Sequence, residues 1–96
     1  MRQRKSQIQL NRPNIVGIVE TPTALRRARS FVSGALDIIE VRLDAMESAP
    51  DLRGLAHPIL ATARAPKEGG RNDLNVRERA SRYLAVLDCV AAVDVE

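Results

Sequence analysis

Short apolar runs alternate with amphipathic segments along this chain. The first run covers residues 15–19, is nearly continuous, and lies between Pro13 and Pro22. Apolar runs of this length are typical of strands that are covered on both faces, as in parallel sheets. We therefore expect a first strand at 15–19, preceded by a polar and basic lead-in over residues 1–13 that is expected to be disordered.

The next segment has the period of an amphipathic helix. Thr21 offers an N-cap, and Ser33-Gly34 offers a stop signal. Apolar side chains recur three and four residues apart while the arginines face away, which predicts one helix with one buried face. The apolar positions are Ala24, Leu25, Ala28 and Val32.

A second strand is predicted over residues 36–43. Alternation divides its side chains between the two faces of the strand. One face carries Ile39, Val41 and Leu43, and the other carries Ile38, Glu40 and Arg42.

A third strand is predicted over residues 58–64, with Leu60, Thr62 and Arg64 on one face. The connection before it, residues 45–57, is limited by Pro50 and Gly54 to a turn or two of helix. This connection is shorter than a full barrel helix requires.

The rest of the chain predicts a loop, a helix and a final strand. The loop covers residues 65–70, the helix covers about 75–90, and an apolar run at 91–96 begins a fourth strand. The positions expected to form the buried helix face are Val76, Ala80, Tyr83, Leu84, Leu87 and Val90.

Strict alternation of strands and helices predicts βαβ units, a parallel sheet and an α/β fold. The order is compatible with an open flavodoxin-like sheet and with a TIM barrel. No GxGxxG or P-loop pattern follows the first strand, which argues against the dinucleotide and nucleotide variants. With 96 residues, the chain is long enough for one domain.

Composition excludes several classes of protein. Aromatic residues make up only 2% of the chain, so a base-stacking nucleic-acid module is disfavoured even though the formal net charge is +3 and the first residues are basic. One cysteine and one histidine make neither a disulfide nor a metal site. The sequence contains no apolar run of membrane-spanning length and no secretory signal, so we expect a cytoplasmic protein that binds no membrane, nucleic acid or metal. A transit peptide is the less favoured interpretation of the basic start.

Polar residues collect where the second and third strands end. Glu40 and Arg42 share a face near the end of the second strand, Arg64 closes the third, and Glu68 follows in the loop. Parallel α/β sheets and barrels bind ligands at the carboxyl ends of their strands. The alternative is an ion network of Glu40, Arg42 and Arg64 that only shapes this end of the sheet.

The amino-acid sequence of these segments resembles that of type I 3-dehydroquinate dehydratase. The motifs that carry the resemblance are Asp37-Ile38-Ile39-Glu40-Val41-Arg42-Leu43-Asp44, Pro58-Ile59-Leu60-Ala61-Thr62-Ala63-Arg64, Lys67-Glu68-Gly69-Gly70 and Asp94-Val95-Glu96. They follow one another in the family's order and cover most of residues 14–96. The resemblance implies about the first three and a half βα units of a (β/α)8 TIM barrel.

The resemblance also implies an activity, the dehydration of 3-dehydroquinate to 3-dehydroshikimate in the shikimate pathway of aromatic amino acid biosynthesis. The family forms a Schiff base between a lysine and the substrate ketone, moves protons with a histidine, and needs no cofactor. On this basis Glu40 and Arg42 are expected to bind substrate hydroxyls, Arg64 to bind substrate, and Glu68 to orient the catalytic histidine.

The chain departs from the family pattern in its histidine and lysines. In the family, the catalytic histidine and then the Schiff-base lysine lie beyond the Asp94-Val95-Glu96 motif. Here the lysines are Lys5 and Lys67, both expected to be solvated, and the histidine is His57, expected to be a surface or capping residue. We therefore expect this chain to be a truncated barrel without turnover of its own.

Two leading interpretations follow from the sequence, and nucleic-acid binding through the basic first residues is a less favoured third. One is a dehydratase part that needs the missing barrel half. The other is a non-catalytic α/β module that forms homo-oligomers through its open sheet edges. Cys89 is expected to be a buried apolar contact under either interpretation.

Overall fold

The described residues form four strands and two α-helices that alternate along the chain, except that no α-helix lies between the second and third strands. A computed structural model describes residue 8 and residues 14–31 and 34–94, so most of the expected lead-in lies outside the described residues. The elements are β1 (Val16–Val19), α1 (Pro22–Ser30), β2 (Ile38–Arg42), a 3-10 turn (Leu43–Ala45), β3 (Ile59–Thr62), a second 3-10 turn (Pro66–Glu68), α2 (Val76–Val86) and β4 (Ala92–Asp94).

The four strands make one parallel sheet in the order β1-β2-β3-β4. The predicted α/β class is confirmed: the sheet is open, and the arrangement is consistent with part of a TIM barrel. Ile39, Val41 and Ala61 pack with the helices in one core cluster. The opposite face, which we call the inner face, carries the alternate residues, among them Glu40 and Arg42.

Helix α1 begins as the sequence predicts. The Thr21 side chain accepts a hydrogen bond from the Ala24 N–H at 3.0 Å, and Pro22 occupies the first turn. Leu25 is buried, and Ala24 packs against the core. The helix ends at Ser30, earlier than expected, and Ser33 of the predicted stop signal lies outside the described residues.

Helix α2 is shorter than predicted, and the expected buried face is wrong for four of its positions, Val76, Ala80, Leu84 and Leu87. A capping box between Asn75 and Glu78 starts the helix. Val76 and Leu84 are 74% and 70% exposed, and Leu87 is also exposed. Tyr83 and, beyond the end of the helix, Val90 contact the core as predicted, and Val86, which was not predicted, is buried with them. Two apolar stripes share this sequence, and the sheet covers only one of them.

The connection from β2 to β3 contains the Leu43–Ala45 3-10 turn and otherwise runs without regular structure. This agrees with the expectation of a short connection. Met46, Leu52 and Leu55 from this segment fill the core in place of a full helix. The connection thus provides apolar cover for the sheet without helical hydrogen bonding.

Four further expectations meet the structure with mixed results. The prediction that β1 is covered on both faces is wrong, because the inner-face side chains of Val16 and Ile18 are exposed. His57 is not a surface residue; it is buried and stacks on Phe31 with the ring centroids 6.1 Å apart. Cys89 packs against the core and is half-buried, and Lys67 is exposed as expected.

Candidate functional site

Polar side chains lie along the inner face where β2 and β3 end. The strand register places Arg42 beside Thr62, and Thr62 beside Asp94. Glu40 lies two residues before Arg42 on the same face, between Ile18 and Leu60. The sheet therefore gathers charged groups from neighbouring strands at its carboxyl edge, as the sequence predicts.

Asp44 is the centre of this edge and was not among the predicted site residues. Its side chain is fully buried, at 0% exposure. Oδ1 accepts hydrogen bonds from Arg42 Nε (3.1 Å) and the Arg64 N–H (3.1 Å). Oδ2 accepts from Arg42 Nη2 (3.0 Å) and the Arg71 N–H (2.9 Å). We call these groups the Asp44 cluster.

The balance of burial and hydrogen bonding keeps the Asp44 carboxyl ionised. Burial alone raises its pKa. The hydrogen bonds from the Arg42 side chain and from the N–H groups of Arg71 and Arg64 outweigh burial, and the pKa of Asp44 lies below its ordinary value. A buried carboxylate with this many charged and polar donors is a satisfied ion rather than a strained one.

Two carboxylates pair with the arginines of this edge. Arg42 forms its ion pair with Asp44 and has Glu20, which follows β1, 3.8 Å from Nη1. Arg71 Nη2 pairs with the other Glu20 oxygen at 3.0 Å. An ion network at this edge therefore contains Arg42, Asp44 and Glu20, and Glu40 also acts electrostatically on Arg42.

The loop that carries Glu68 is closed upon itself. The N–H groups of Glu68 and Gly70 both donate to the Ala65 carbonyl at 2.9 Å. A Cβ on Gly70 would lie 1.9 Å from the Arg64 carbonyl oxygen, so only glycine allows this approach. Gly69 has a φ of 89°, the left-handed conformation that glycine adopts freely. The glycine pair therefore serves the compact shape of the loop.

The turn that contains Asp44 is held by side chains from elsewhere in the fold. Arg82 of α2 donates to the carbonyls of Leu43 (2.7 Å) and Glu47 (2.8 Å). Asn72, with a positive φ of 61°, donates from Nδ2 to the Asp44 carbonyl at 2.8 Å. Hydrogen bonds thus hold the backbone of the turn as well as the Asp44 side chain.

Tyr83 joins the ends of β3 and β4. Its hydroxyl oxygen accepts from the Ala63 N–H at 2.7 Å and donates to the Asp94 carbonyl. Ala63 is buried, so this hydroxyl satisfies a backbone donor that water does not reach. The contact fixes the last residues of the two strands that carry Arg64 and Asp94.

The structure brings together some of the predicted site residues. Arg42 and Arg64 meet at Asp44, Arg42 through its side chain and Arg64 through its backbone. Glu40 shares the inner face with Arg42, whereas the Glu68 side chain is exposed in the closed loop. The signal that could have indicated Asp44 was the Arg-x-Asp spacing at the end of β2; Glu20 left no comparable signal.

A cleft of about 630 Å³ lies beside this edge. Glu20 and Arg71 line it together with Arg26 of α1. Glu40 and Arg42 lie instead on the open inner face. Among the described residues, no group of three or more metal-ligating side chains lies close enough to hold an ion, and no helix is long and apolar enough to cross a membrane.

Comparison with known proteins identifies the family. The family described as type I 3-dehydroquinase matches residues 16–96. A 3-dehydroquinate dehydratase of Thermococcus onnurineus (strain NA1) is 35% identical over 85 residues, which cover 84% of this chain and 40% of that protein. The match confirms the family that the motifs of β2, β3 and the following loop predicted. The chain therefore belongs to the type I 3-dehydroquinase family.

Proposed function

We propose that this chain forms part of the substrate-binding wall of an enzyme that dehydrates 3-dehydroquinate to 3-dehydroshikimate in the cytoplasmic shikimate pathway. The observation that carries the proposal is the arrangement of Arg42 and Arg64 on one buried carboxylate at the carboxyl edge of the sheet, in a chain of this family. 3-Dehydroquinate is a hydroxylated carboxylate. Fixed guanidinium groups are suited to bind such an anion.

Each predicted site residue has a role in this proposal. Glu40 and Arg42 bind substrate hydroxyls from the inner face, and Arg64 binds substrate from the end of β3. Glu68 is the catalytic loop acid that orients a histidine. The closed loop of residues 65–70 supports this role, because it holds the backbone of Glu68 in one conformation.

The chemistry of the whole enzyme needs a lysine and a histidine that these residues do not provide. The lysine forms an imine with the substrate ketone, and this imine acts as the electron sink. The histidine moves protons. Lys67 is exposed in the 3-10 turn, and His57 is buried before β3, at the opposite end of the strands from Arg64. We propose that this chain binds substrate without turning it over.

Calorimetric titration with 3-dehydroquinate tests the binding role. Arg64→Ala is the informative variant, because it removes the guanidinium and keeps the N–H that donates to Asp44. We expect binding by the unaltered chain and a loss of about tenfold or more in affinity, about 1.4 kcal/mol, in the variant. Arg53→Ala is the matched control, since Arg53 is an exposed arginine outside the site, and its affinity should stay within about twofold.

Two outcomes contradict the proposal. If the unaltered chain does not bind 3-dehydroquinate at millimolar concentration, the binding role is wrong. If borohydride reduction in the presence of substrate leaves a covalent adduct on Lys67, detected by intact mass and peptide mapping, the proposed lack of turnover is wrong. The two results are independent of each other.

A second candidate function is supported by the exposed apolar residues of β1. Val16 and Ile18 are exposed on a strand at the edge of the described sheet. Such an edge favours pairing with another chain, which makes a non-catalytic module that forms homo-oligomers the alternative. In that case Ile18→Lys should lower the sedimentation coefficient to the value of a monomer. Val76→Lys, at an exposed position of α2, should leave the coefficient unchanged. Under this alternative Arg64→Ala lowers stability and changes no ligand affinity.

A further inference from the structure

We propose that Asp44 is a positioning residue that holds the Arg42 guanidinium and both ends of the Glu68 loop in one arrangement. The inference rests on the proposed function of the site, since it assigns Asp44 a part in ligand binding. Asp44 itself is fully buried and is not proposed to touch a ligand. Its effect on binding passes through the groups that it holds.

On the Arg42 side, the contact with Asp44 fixes the orientation of the guanidinium plane. Nε and Nη2 donate to different oxygens of Asp44 at 3.1 and 3.0 Å, which is the two-point fork of an Arg–carboxylate pair. This geometry occupies one edge of the guanidinium. Nη1 is left directed toward Glu20, 3.8 Å away, beyond the range of a hydrogen bond. Arg42 therefore has its orientation fixed before any ligand binds, and Nη1 keeps the longer ion-pair contact with Glu20.

On the loop side, Asp44 binds both ends of the segment that contains Glu68. The N–H of Arg64, where β3 gives way to the loop, donates to Oδ1. The N–H of Arg71, one residue after the glycine pair, donates to Oδ2. The two donors are brought together from the two ends of the loop. Asp44 thus couples the shape of the loop to the position of Arg42.

Only a carboxylate satisfies both sides at once. Each oxygen of Asp44 accepts one bond from Arg42 and one from a backbone N–H. In Asp44→Asn one oxygen becomes an NH2 group, which is a donor, so one Arg42 nitrogen and one loop N–H lose their acceptor. The substitution keeps the volume of the side chain and removes the coupling.

The exposed pair of Asp51 and Arg53 provides a matched control. It has the same two-residue spacing and the same fork, with Nε–Oδ1 at 2.9 Å and Nη2–Oδ2 at 2.7 Å. Its side chains are 54% and 74% exposed, and it lies outside the site. Asp51→Asn removes an equivalent pair without touching Arg42 or the loop.

The first measurement needs no ligand. Amide hydrogen exchange and side-chain NMR on the full chain should show slow exchange at the N–H groups of Arg64 and Arg71 and an ordered, protected Arg42 Nε–H. In Asp44→Asn these three signals should exchange about tenfold or more faster, while the amides of Val41 and Ala61 change less. Asp51→Asn should leave all of them unchanged. A mobile Arg42 side chain in the unaltered chain overturns the proposal even if Asp44→Asn does not fold.

The second measurement is a double-mutant cycle on 3-dehydroquinate affinity. We expect Asp44→Asn to weaken binding about thirtyfold, as for loss of one partner of a buried charge pair, and Asp51→Asn to leave it within about twofold. In an Arg42→Lys background, where no fork forms, the effect of Asp44→Asn should be much smaller. An equal effect in both backgrounds overturns the proposal. If the unaltered chain binds no substrate, the proposed function fails, and the exchange data still decide whether Asp44 positions Arg42 and the loop.

Discussion

Removal of a single oxygen from Tyr83 should destabilise the junction between β3 and β4. In Tyr83→Phe the ring remains in place, so packing against the core is retained. The change removes the acceptor of the Ala63 N–H at 2.7 Å and the donor to the Asp94 carbonyl. The two strand ends then lose the one side chain that bonds to both of them among the described residues.

The magnitude follows from the different exposure of the two partners. Ala63 is 1% exposed, so its N–H is left without a partner inside the protein, at a cost of about 1–3 kcal/mol. Asp94 is exposed, and water replaces the lost donor there at little cost. We therefore expect a loss of about 2 kcal/mol in the free energy of unfolding. For a domain of this size, about 2 kcal/mol corresponds to a fall of about 8–16 °C in Tm.

Urea and thermal unfolding followed by far-UV circular dichroism measure this loss. Fluorescence is unsuitable, because the chain has no tryptophan and Tyr83 is its only tyrosine. Ser30→Ala is the control, since it removes an exposed hydroxyl that donates to a backbone carbonyl, and it should cost less than about 0.5 kcal/mol. If Tyr83→Phe costs no more than Ser30→Ala, the hydroxyl does not hold the strand ends and the reasoning is wrong.

Three further results are expected from unfolding measurements. Gly70→Ala should destabilise the protein by about 1–3 kcal/mol, because its Cβ would meet the Arg64 carbonyl, whereas Gly34→Ala, which meets nothing, should cost less than about 0.5 kcal/mol. Since the pKa of Asp44 is lowered by folding, its contribution to stability is present above the ordinary value of about 3.9 and is lost as the pH falls through the folded-state pKa. A thermal unfolding series from neutral to acid pH should therefore show a decline that is smaller in Asp44→Asn; an identical decline in both proteins contradicts this account. Thr62 Oγ1 is buried and has no hydrogen-bond partner among the described residues, so Thr62→Val should keep or raise stability by about 1 kcal/mol, and a loss would mean that the hydroxyl is bonded.

The candidate site shows where sequence reasoning stops. Arg42 and Arg64 were predicted because each ends a strand of a parallel sheet, and their approach to one another follows from the sheet alone. Asp44 belongs to the motif, but its role could not be predicted, because its partners Arg64 and Arg71 are 20 and 27 residues away along the chain. Such contacts depend on the path of the loop, which local patterns do not specify.

Helix α2 gives the same lesson for packing. Its residues offer one apolar stripe through Val76 and Leu84 and another through Tyr83 and Val86. Val76, Tyr83 and Leu84 were predicted to be buried together. Tyr83 packs against the core with Val86, whereas Val76 and Leu84 are exposed. The helical periodicity of the sequence shows that apolar stripes exist, but only the position of the helix over the sheet decides which stripe is buried. His57 is similar, since it is buried and stacks on Phe31, which comes from a distant part of the chain.

The sequence by itself determined the order of the elements, the parallel α/β class, the Thr21 cap and the family, because these depend on neighbouring residues and short motifs. Tertiary structure alone decided which side chains are buried and how the charges of the carboxyl edge are paired. The physical reason is that burial and most of these contacts are formed between segments far apart in the chain. Asp44 belongs to both levels: two of its donors come from Arg42, two residues away, and the other two, from Arg64 and Arg71, are brought to it by the fold.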